Sequence, residues 1–430
     1  MPPKRASKSP ARQSPPAKST PTAKSTTPAK STPPAKSTPP VKSTPPPKPP
    51  PSKFLKRAGY AALFLAILLG LIGRLAPTLL LRIPTYGWIF WMATGNPVPP
   101  YLVYDAWKGD EHRSWLRDGD VVVAVGGKSG TTWMLYCAHQ IRVKGSDDVE
   151  YGDVSLSSPW PEFIQRPGAT WAQHKAELNT TTTRCLGYSF RSCNMPLRLY
   201  WDKPYTFRVW KSHATPRTTG GVLPVRERPG VRFLAMARNG LDVVSSLIPF
   251  FDQHTEEFRT MWGGFPPASS GDPAKDAATR LADLLPGGIM ADAYWKYVKE
   301  WWAMRDEPNV LLLHYSDVRR DVAGAVARIA SWLGVELTDD ERAKVVEKCS
   351  FEHMKAHPER FVYELPLNPD YGSPGINGVL LPGTMVRKGV DGDGKATFTA
   401  EQAARWAAAE ESEFADAEMR EWARRGRGSV

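Results

Sequence analysis

The feature that most constrains the fold is an apolar run that ends in a glycine-rich loop. Residues 121–125 are all apolar, and they are followed by Gly126-Gly127-Lys128-Ser129-Gly130-Thr131-Thr132-Trp133. An uninterrupted apolar run is typical of a strand buried on both faces, and glycines allow a sharp turn after it. A helix that begins there offers unpaired N–H groups and a positive dipole end to an anion, and Lys128 adds a charge. The segment predicts a strand, an anion-binding loop and a helix.

The loop differs from the phosphate loop of nucleoside triphosphatases. That pattern has a Gly five residues before its Gly-Lys pair, whereas residue 122 here is Val. The departure weakens the assignment to an ATP- or GTP-hydrolysing enzyme. A nucleotide kinase stays open as an alternative, and it would need Mg²⁺ and carboxylates to hold the metal.

Three later apolar runs also end in polar or aromatic residues. They cover 207–213, 231–237 and 310–317, and the residues of interest are Lys211, His213, Arg238, Ser246 and Tyr315. An Arg at a strand end and a Ser two turns into the next helix can converge on one phosphate, the Arg by paired hydrogen bonds. We expect a second phosphate subsite there.

The order of these runs predicts the fold class. Helical patterns at 274–285, 291–306, 323–333 and 400–424 alternate with the strands. Such alternation favours a central parallel sheet covered by helices on both faces, with ligand loops at the carboxyl ends of the strands. We predict a three-layer α/β/α domain.

Taken together, the motifs resemble those of sulfotransferases that use 3′-phosphoadenylyl sulfate (PAPS). Lys128–Trp133 is similar to the family's 5′-phosphosulfate loop, Arg238 and Ser246 match its 3′-phosphate pair, and 387–395 matches its late glycine-rich loop. The resemblance covers about residues 100–425 and implies a fold related to P-loop kinases. It implies donor binding by these residues: Lys128, Ser129, Gly130, Thr131, Thr132, Trp133, Arg238, Ser246, Tyr315, Ser350, Phe351, Arg387, Lys388 and Gly389.

The resemblance also implies the catalytic groups. Lys211-Ser212-His213 is similar to the family's Lys-Thr-His, which makes His213 the expected base for the acceptor proton. Lys128 is expected to stabilise charge on the leaving nucleotide, and Lys211 to hold the sulfuryl oxygens. The four cysteines show no metal-ligand spacing, so we expect no metal.

Three glycines depart from the family pattern. Gly126-Gly127 stands where an aromatic residue and a Pro are usual, and we expect a looser loop there. Gly394 stands where the late loop usually has Trp. Neither change removes a charge, so we expect them to affect the acceptor and the donor affinity rather than the reaction.

The first 57 residues are a basic, repetitive tail. Lys-Ser-Thr recurs at Lys18, Lys24, Lys30, Lys36 and Lys42, the tail contains 13 Lys or Arg, and the first acidic residue of the chain is Asp105. Such a segment has too few apolar residues to form a core, and we predict a disordered tail. Open roles are a solvated linker, a tether to anionic lipid or nucleic acid, a phosphorylated segment and a transit peptide.

Residues 58–82 form an apolar segment interrupted by Arg74. We predict a single membrane anchor, with a buried or amphipathic helix as the alternative. Lys53, Lys56 and Arg57 place the tail in the cytosol and the domain at 83–430 in a Golgi or endoplasmic reticulum lumen, whereas Arg74 and Arg82 favour the opposite orientation.

The predicted function is transfer of a sulfuryl group from PAPS to a hydroxyl or amine. The loop is more like that of the soluble enzymes, which favours a small alcohol, phenol, steroid-like or lipid acceptor; a luminal anchor favours a glycan instead. A non-catalytic nucleotide-binding domain with a functional basic tail is the remaining alternative, and nucleic acid is not an expected partner of the domain.

Overall fold

The computed structural model describes residues 59–68, 71, 102, 104–147, 151, 154–164, 171–172, 174–175, 205–218, 220–262, 266–363 and 378–428. The predicted tail at 1–57 and most of the predicted anchor at 58–82 lie outside these residues. The division into tail, anchor and domain therefore stays a prediction.

A parallel sheet lies at the centre of the described domain. Its strands are β1 (Val121–Ala124), β2 (Val209–Ser212), β3 (Arg232–Ala237) and β4 (Val310–His314). They are hydrogen-bonded in the order β2-β1-β3-β4, and every pair is parallel. Parallel neighbours need crossover connections, which here contain the helices. The predicted parallel sheet is confirmed.

The sheet separates two apolar cores. Val121 and Val123 belong to one core, and Val122 and Ala124 belong to the other. Successive residues of a strand point to opposite faces, so this alternation shows that both faces of β1 are covered. All four residues have no exposed surface. The three-layer prediction is confirmed.

Helices cover both faces of the sheet. Their bounds are α1 Thr131–Arg142, α2 Val154–Ser157, α3 Gly240–Asp252, α4 Glu256–Met261, α5 Pro273–Leu284, α6 Trp295–Ala303, α7 Tyr315–Arg320, α8 Val322–Leu333, α9 Asp339–Lys348, α10 Phe351–Ala356, α11 Asp393–Thr397, α12 Ala400–Glu413 and α13 Ala417–Arg425. Short 3₁₀ turns add Asp105–Trp107, Glu111–Ser114, Ala291–Ala293 and Pro358–Phe361.

Two segments that the sequence predicts as single helices each contain two elements in the structure. The pattern at 400–424 is interrupted after Glu413, where Phe414 is fully buried and has non-helical dihedrals, and Asp416 caps the next helix by accepting from the N–H groups of Glu418 and Met419. The pattern at 291–306 is a 3₁₀ turn followed by α6. Periodicity missed both interruptions because the apolar spacing continues across them.

The described part of the predicted anchor is a helix at 59–68. Its apolar side chains are exposed, among them Tyr60, Leu63, Phe64, Leu65 and Ile67. Across the parts of the chain that the structure describes, no helix combines the length and the apolar composition that a membrane crossing requires.

Candidate functional site

The strand ends open into one cavity of about 960 Å³. Fifteen of the sixteen residues expected to bind donor or take part in the reaction line it: Lys128, Gly130, Thr131, Thr132, Trp133, Lys211, His213, Arg238, Ser246, Tyr315, Ser350, Phe351, Arg387, Lys388 and Gly389. Ser129 does not line it; its side chain is buried and its hydroxyl donates to the Gly127 carbonyl at 3.5 Å. The structure thus brings together residues from all four strand ends.

The loop after β1 is held in a left-handed turn. Lys128 has φ +61° and Gly130 has φ +96°. The φ of Gly130 strains any residue with a side chain, and a Cβ there would also lie 2.7 Å from the Met236 methyl carbon. Because Gly130 precedes α1 and has no side chain to cap it, the first N–H groups of α1 are left to bind an anion.

Gly126 lies close to the ring of Tyr297, which joins the ends of two strands. The Tyr297 hydroxyl donates to the carbonyl of Ala124 at 2.6 Å and also lies 3.3 Å from that of Met236, which joins the ends of β1 and β3. A Cβ on Gly126 would lie 3.1 Å from the Tyr297 ring. Gly126 is therefore closely packed, while Gly127 has open space around it. The looser loop stays a prediction, and the partners of Tyr297 could not be read from the sequence.

Lys128 extends into a cluster of positive charges. Its ammonium lies 3.9 Å from the centre of the Phe250 ring. Burial, followed by the charges of Arg387, Arg238 and Lys211 in that order, lowers the pKa of Lys128 to about 7. An anion between these cations would relieve their mutual repulsion.

Arg238 connects two loops of the site. Its guanidinium donates to the carbonyl of Lys128 at 3.3 Å and to that of Val390 at 2.6 Å, and it lies 4.3 Å from the centre of the Tyr315 ring. Its Nε is buried and makes no hydrogen bond in the described part of the chain. A further acceptor, such as a phosphate oxygen, fits that orphaned donor.

The late loop is fixed to α3. Asp242 accepts from the N–H groups of Gly392 at 2.9 Å and Gly394 at 2.8 Å. A Cβ on Gly394 would lie 2.7 Å from the backbone carbon of Leu241. The glycine that replaces the family's usual Trp is therefore required by the close approach of loop and helix.

The remaining donor residues surround this loop. Arg387 and Lys388 donate to Asp393 at 3.1 and 2.8 Å. Phe351 lies against Gly389, where φ is +61° and a Cβ would be 2.4 Å from the ring. Ser350 accepts from the His353 N–H at 3.1 Å and so caps α10.

His213 follows β2 directly and is half-buried. Its Nδ1 lies 2.6 Å from the Val125 carbonyl oxygen, which can only accept, so Nδ1 carries the proton and Nε2 has a free lone pair. The pKa of His213 falls to about 3 because of burial and the charge of Lys211, with a smaller effect of Lys128. The ring is therefore neutral at physiological pH.

The other half of the cavity is apolar and aromatic. It is formed by residues that the motifs did not indicate: Leu102, Trp160, Phe163, Leu247, Phe250, His254, Phe258, Tyr363, Val379, Leu380 and Met385. His254 donates from Nδ1 to the Phe250 carbonyl at 3.1 Å, because that oxygen can only accept. Burial lowers the pKa of His254 to about 4, so this ring is also neutral.

Metal ligation has no support in the described ranges. They contain no group of three or more His, Cys, Asp or Glu side chains placed to hold an ion.

Comparison with known proteins gives consistent matches. Residues 118–418 match the sulfotransferase domain family. The chain is 22% identical to sulfotransferase 2A6 of Mus musculus, over 74% of this chain and 90% of that protein. It is 24% identical to sulfotransferase 1E1 of Homo sapiens, over 66% and 79%. Its fold is similar to that of a retinol dehydratase solved with androsterone and the inactive cofactor PAP, with TM-score 0.50, 22% identity and coverage of 74% and 87%.

Proposed function

The chain belongs to the sulfotransferase domain family, and on that premise we propose that it transfers a sulfuryl group from PAPS to a hydroxyl of a small, largely apolar acceptor. One observation carries the proposal: a single cavity has a cationic half at the strand ends and an aromatic half beside it. The first half suits an anionic nucleotide, and the second suits an apolar small molecule.

The cationic half fits the donor. The loop at 126–130 and the start of α1 would bind the phosphosulfate, with Lys128 beside the bridging oxygen. Arg238 and Ser246 would bind the 3′-phosphate, since the Arg238 Nε is an orphaned donor and Ser246 lines the same wall. Arg387 and Lys388 would approach from the late loop, and Tyr315 and Phe351 offer aromatic surfaces for the base.

His213 and the two lysines would carry the transfer. As the acceptor oxygen bonds to sulfur, His213 takes its proton on Nε2, and the bond from sulfur to the bridging phosphate oxygen breaks. Lys128 faces the negative charge left on that oxygen, and Lys211 lies beside the sulfuryl oxygens. The donor's negative charges offset those of Lys211 and Lys128, which raises the low pKa of His213 toward a useful range.

Acceptors resembling those of the similar proteins are the first to test. The retinol dehydratase was solved with androsterone, a small apolar alcohol, and a relative of 26% identity is the luciferin sulfotransferase of Photinus pyralis. The aromatic half of the cavity supports this class over a large glycan.

Labelled-sulfate transfer from PAPS by the full chain to a panel of phenols, alcohols, sterols and glycans tests the function. We expect transfer to phenols or sterols that falls by orders of magnitude in His213→Ala and Lys128→Ala. ATP with Mg²⁺ is the matched alternative donor, and phosphate transfer from it would indicate a kinase. PAP that neither binds nor inhibits would overturn the proposal.

We also propose that the segment at 58–82 attaches the protein to a membrane. The exposed apolar side chains of the helix at 59–68, preceded by a cationic tail, support it. Co-sedimentation of the full chain with vesicles of phosphatidylcholine alone, which carry no net charge to attract the tail, is expected, and Phe64→Ser with Leu65→Ser should weaken it. Protease protection of the same protein in microsomes would report which side carries the domain.

A further inference from the structure

A buried carboxyl group lies behind the catalytic strand end. Glu162 is 1% exposed, and its Oε1 accepts from the Trp107 indole at 2.8 Å and from the Ser212 hydroxyl. Ser212 stands between Lys211 and His213, and its Oγ also accepts from the N–H of Ala214 at 3.0 Å. Glu162 therefore contacts the turn that carries both catalytic side chains.

The residues just before Glu162 contact the same turn. The Pro159 carbonyl accepts from the Lys211 N–H at 2.9 Å. The Trp160 ring lies 3.8 Å from the Lys211 ammonium and 4.9 Å, edge to face, from the His213 ring. Residues 159–162 thus contact Lys211, Ser212 and His213. The hydrogen bond from Trp107 to Glu162 connects this segment to the apolar core that contains Val122.

The second oxygen of this carboxyl group is unpaired. Oε2 of Glu162 is buried and makes no hydrogen bond within the residues that the structure describes. Burial raises the pKa of Glu162 to about 7, against the opposing effects of Ser212, its own backbone, Trp107 and Lys211. An unpaired buried oxygen is far less costly when it carries a proton.

We propose that Glu162 is a positioning residue that, in its protonated form, holds the turn at Lys211–His213 through the hydroxyl of Ser212. This inference rests on the proposed function. The neighbouring groups that bear charge or titrate are Lys211 on β2 and Tyr104, whose pKa is raised by burial and by the charge of Glu162. An ionised Glu162 would attract the Lys211 ammonium away from the cavity and so disturb the site.

Four variants of the full chain test the proposal. Glu162→Gln has the shape and the neutral charge of the protonated acid, and Glu162→Leu removes the hydrogen-bond acceptor. Ser212→Ala removes the hydroxyl that donates to Glu162, and Glu162→Leu/Ser212→Ala removes both the acceptor and the hydroxyl. We expect Gln to keep kcat within about twofold at pH 6.5 and Leu to lower it about 30-fold, because small misplacement of catalytic groups has large effects. The Kd for PAP should stay within about twofold in each.

The decisive test compares the kcat of the double variant with that of each single variant. Because Glu162 acts through Ser212, the double variant should be no slower than Glu162→Leu alone. Above pH 7 the wild-type kcat should fall relative to that of Glu162→Gln. Folded Glu162→Leu with unchanged kcat, Gln as slow as Leu, or additive losses in the double variant would each overturn the proposal.

A second readout does not require turnover. In protein with labelled histidine, the nuclear magnetic resonance signals of the His213 ring should shift in Glu162→Leu and stay in place in Glu162→Gln. Unmoved signals in both would reject the positioning role. Shifted signals in a protein that transfers no sulfate would support it and reject the proposed reaction, so the two failures are distinguishable.

Discussion

The two halves of the cavity are built in different ways. The cationic half, which we propose binds the donor and call the donor half, consists of short contiguous motifs at strand ends and in the late loop. They are held by backbone carbonyls and amides: Arg238 bonds to two carbonyls, and Asp242 to two amides. The aromatic half, which we propose binds the acceptor and call the acceptor half, consists of side chains from segments far apart in the chain, such as Phe163, Phe258 and Leu380. Backbone contacts fix the first half regardless of side-chain size, whereas the second half is defined by side-chain size and shape.

The largest effect should come from the loss of the His213 ring, which we place between the donor half and the acceptor half. His213→Ala should lower kcat by about 10²- to 10⁴-fold, the range for loss of a general base. Both halves should be intact, so the Kd for PAP and the KM for the acceptor should change little. Steady-state kinetics and calorimetry measure these values, with His357→Ala as a control outside the cavity. A raised Kd for PAP would show that the halves are not separate here.

The next largest effect should be on the free energy of unfolding, through Glu162, which lies behind the turn that carries His213. Since the pKa of Glu162 is raised from 4.5 to about 7, its stabilising effect is full below pH 4.5 and is lost as the pH rises to 7. At 1.36 kcal/mol per pKa unit, ionisation of Glu162 should lower the free energy of unfolding by about 3 kcal/mol. Glu162→Gln should lack this change.

Denaturant unfolding of wild type and Glu162→Gln between pH 4.5 and 8 measures the difference. Other carboxyl groups titrate in both proteins, so only the difference between the two curves counts. Parallel curves would show that Glu162 is ionised in the folded protein.

The donor half should be sensitive to one added methyl group. Gly394→Ala places a Cβ against the backbone of Leu241, so the late loop must move away from α3. We expect the Kd for PAP to rise about 10-fold or more, with little change in acceptor selectivity. Gly59→Ala, which adds the same methyl group in open space at a residue that does not line the cavity, is the matched control. Equal effects of the two would contradict the close-approach explanation.

The smallest effect should fall on the acceptor half alone. His254→Leu keeps a similar volume and removes the polar ring, so we expect the KM for acceptors with a second hydroxyl to rise about 3- to 10-fold. The KM for matched acceptors with one hydroxyl and the Kd for PAP should change less than twofold. A larger effect on PAP than on the acceptor would place His254 in the donor half.

This contrast explains what could be predicted from the sequence. The strands and the polar residues that follow them, such as Lys128, Lys211 and Arg238, follow from local patterns, because an apolar run and the polar residue after it are adjacent in the chain. Ser350, Phe351 and residues 387–389 follow no strand and were expected only from the resemblance to the family, and the structure brings them to the same cavity. The roles of all these residues remain predictions.

The acceptor wall could not be predicted because nothing local marks it. Phe250 and Phe258 are ordinary apolar residues of helices, and only the packing of α3 and α4 against the loop at 378–386 brings them to the cavity. Tyr297 and Glu162 were missed for the same reason, because the hydrogen-bond partners of each are more than 45 residues away in the chain.

Helix α3 belongs to both halves, and this sets a fixed length scale for catalysis. Ser246, which we propose binds the donor, and Phe250, in the aromatic part of the cavity, both line it and lie one helical turn or about 6 Å apart on α3. In the proposed complex the helix would therefore fix the distance between the nucleotide and the wall of the acceptor site. Substitutions in that wall would change its shape, whereas this distance would change only if the helix itself were bent or broken.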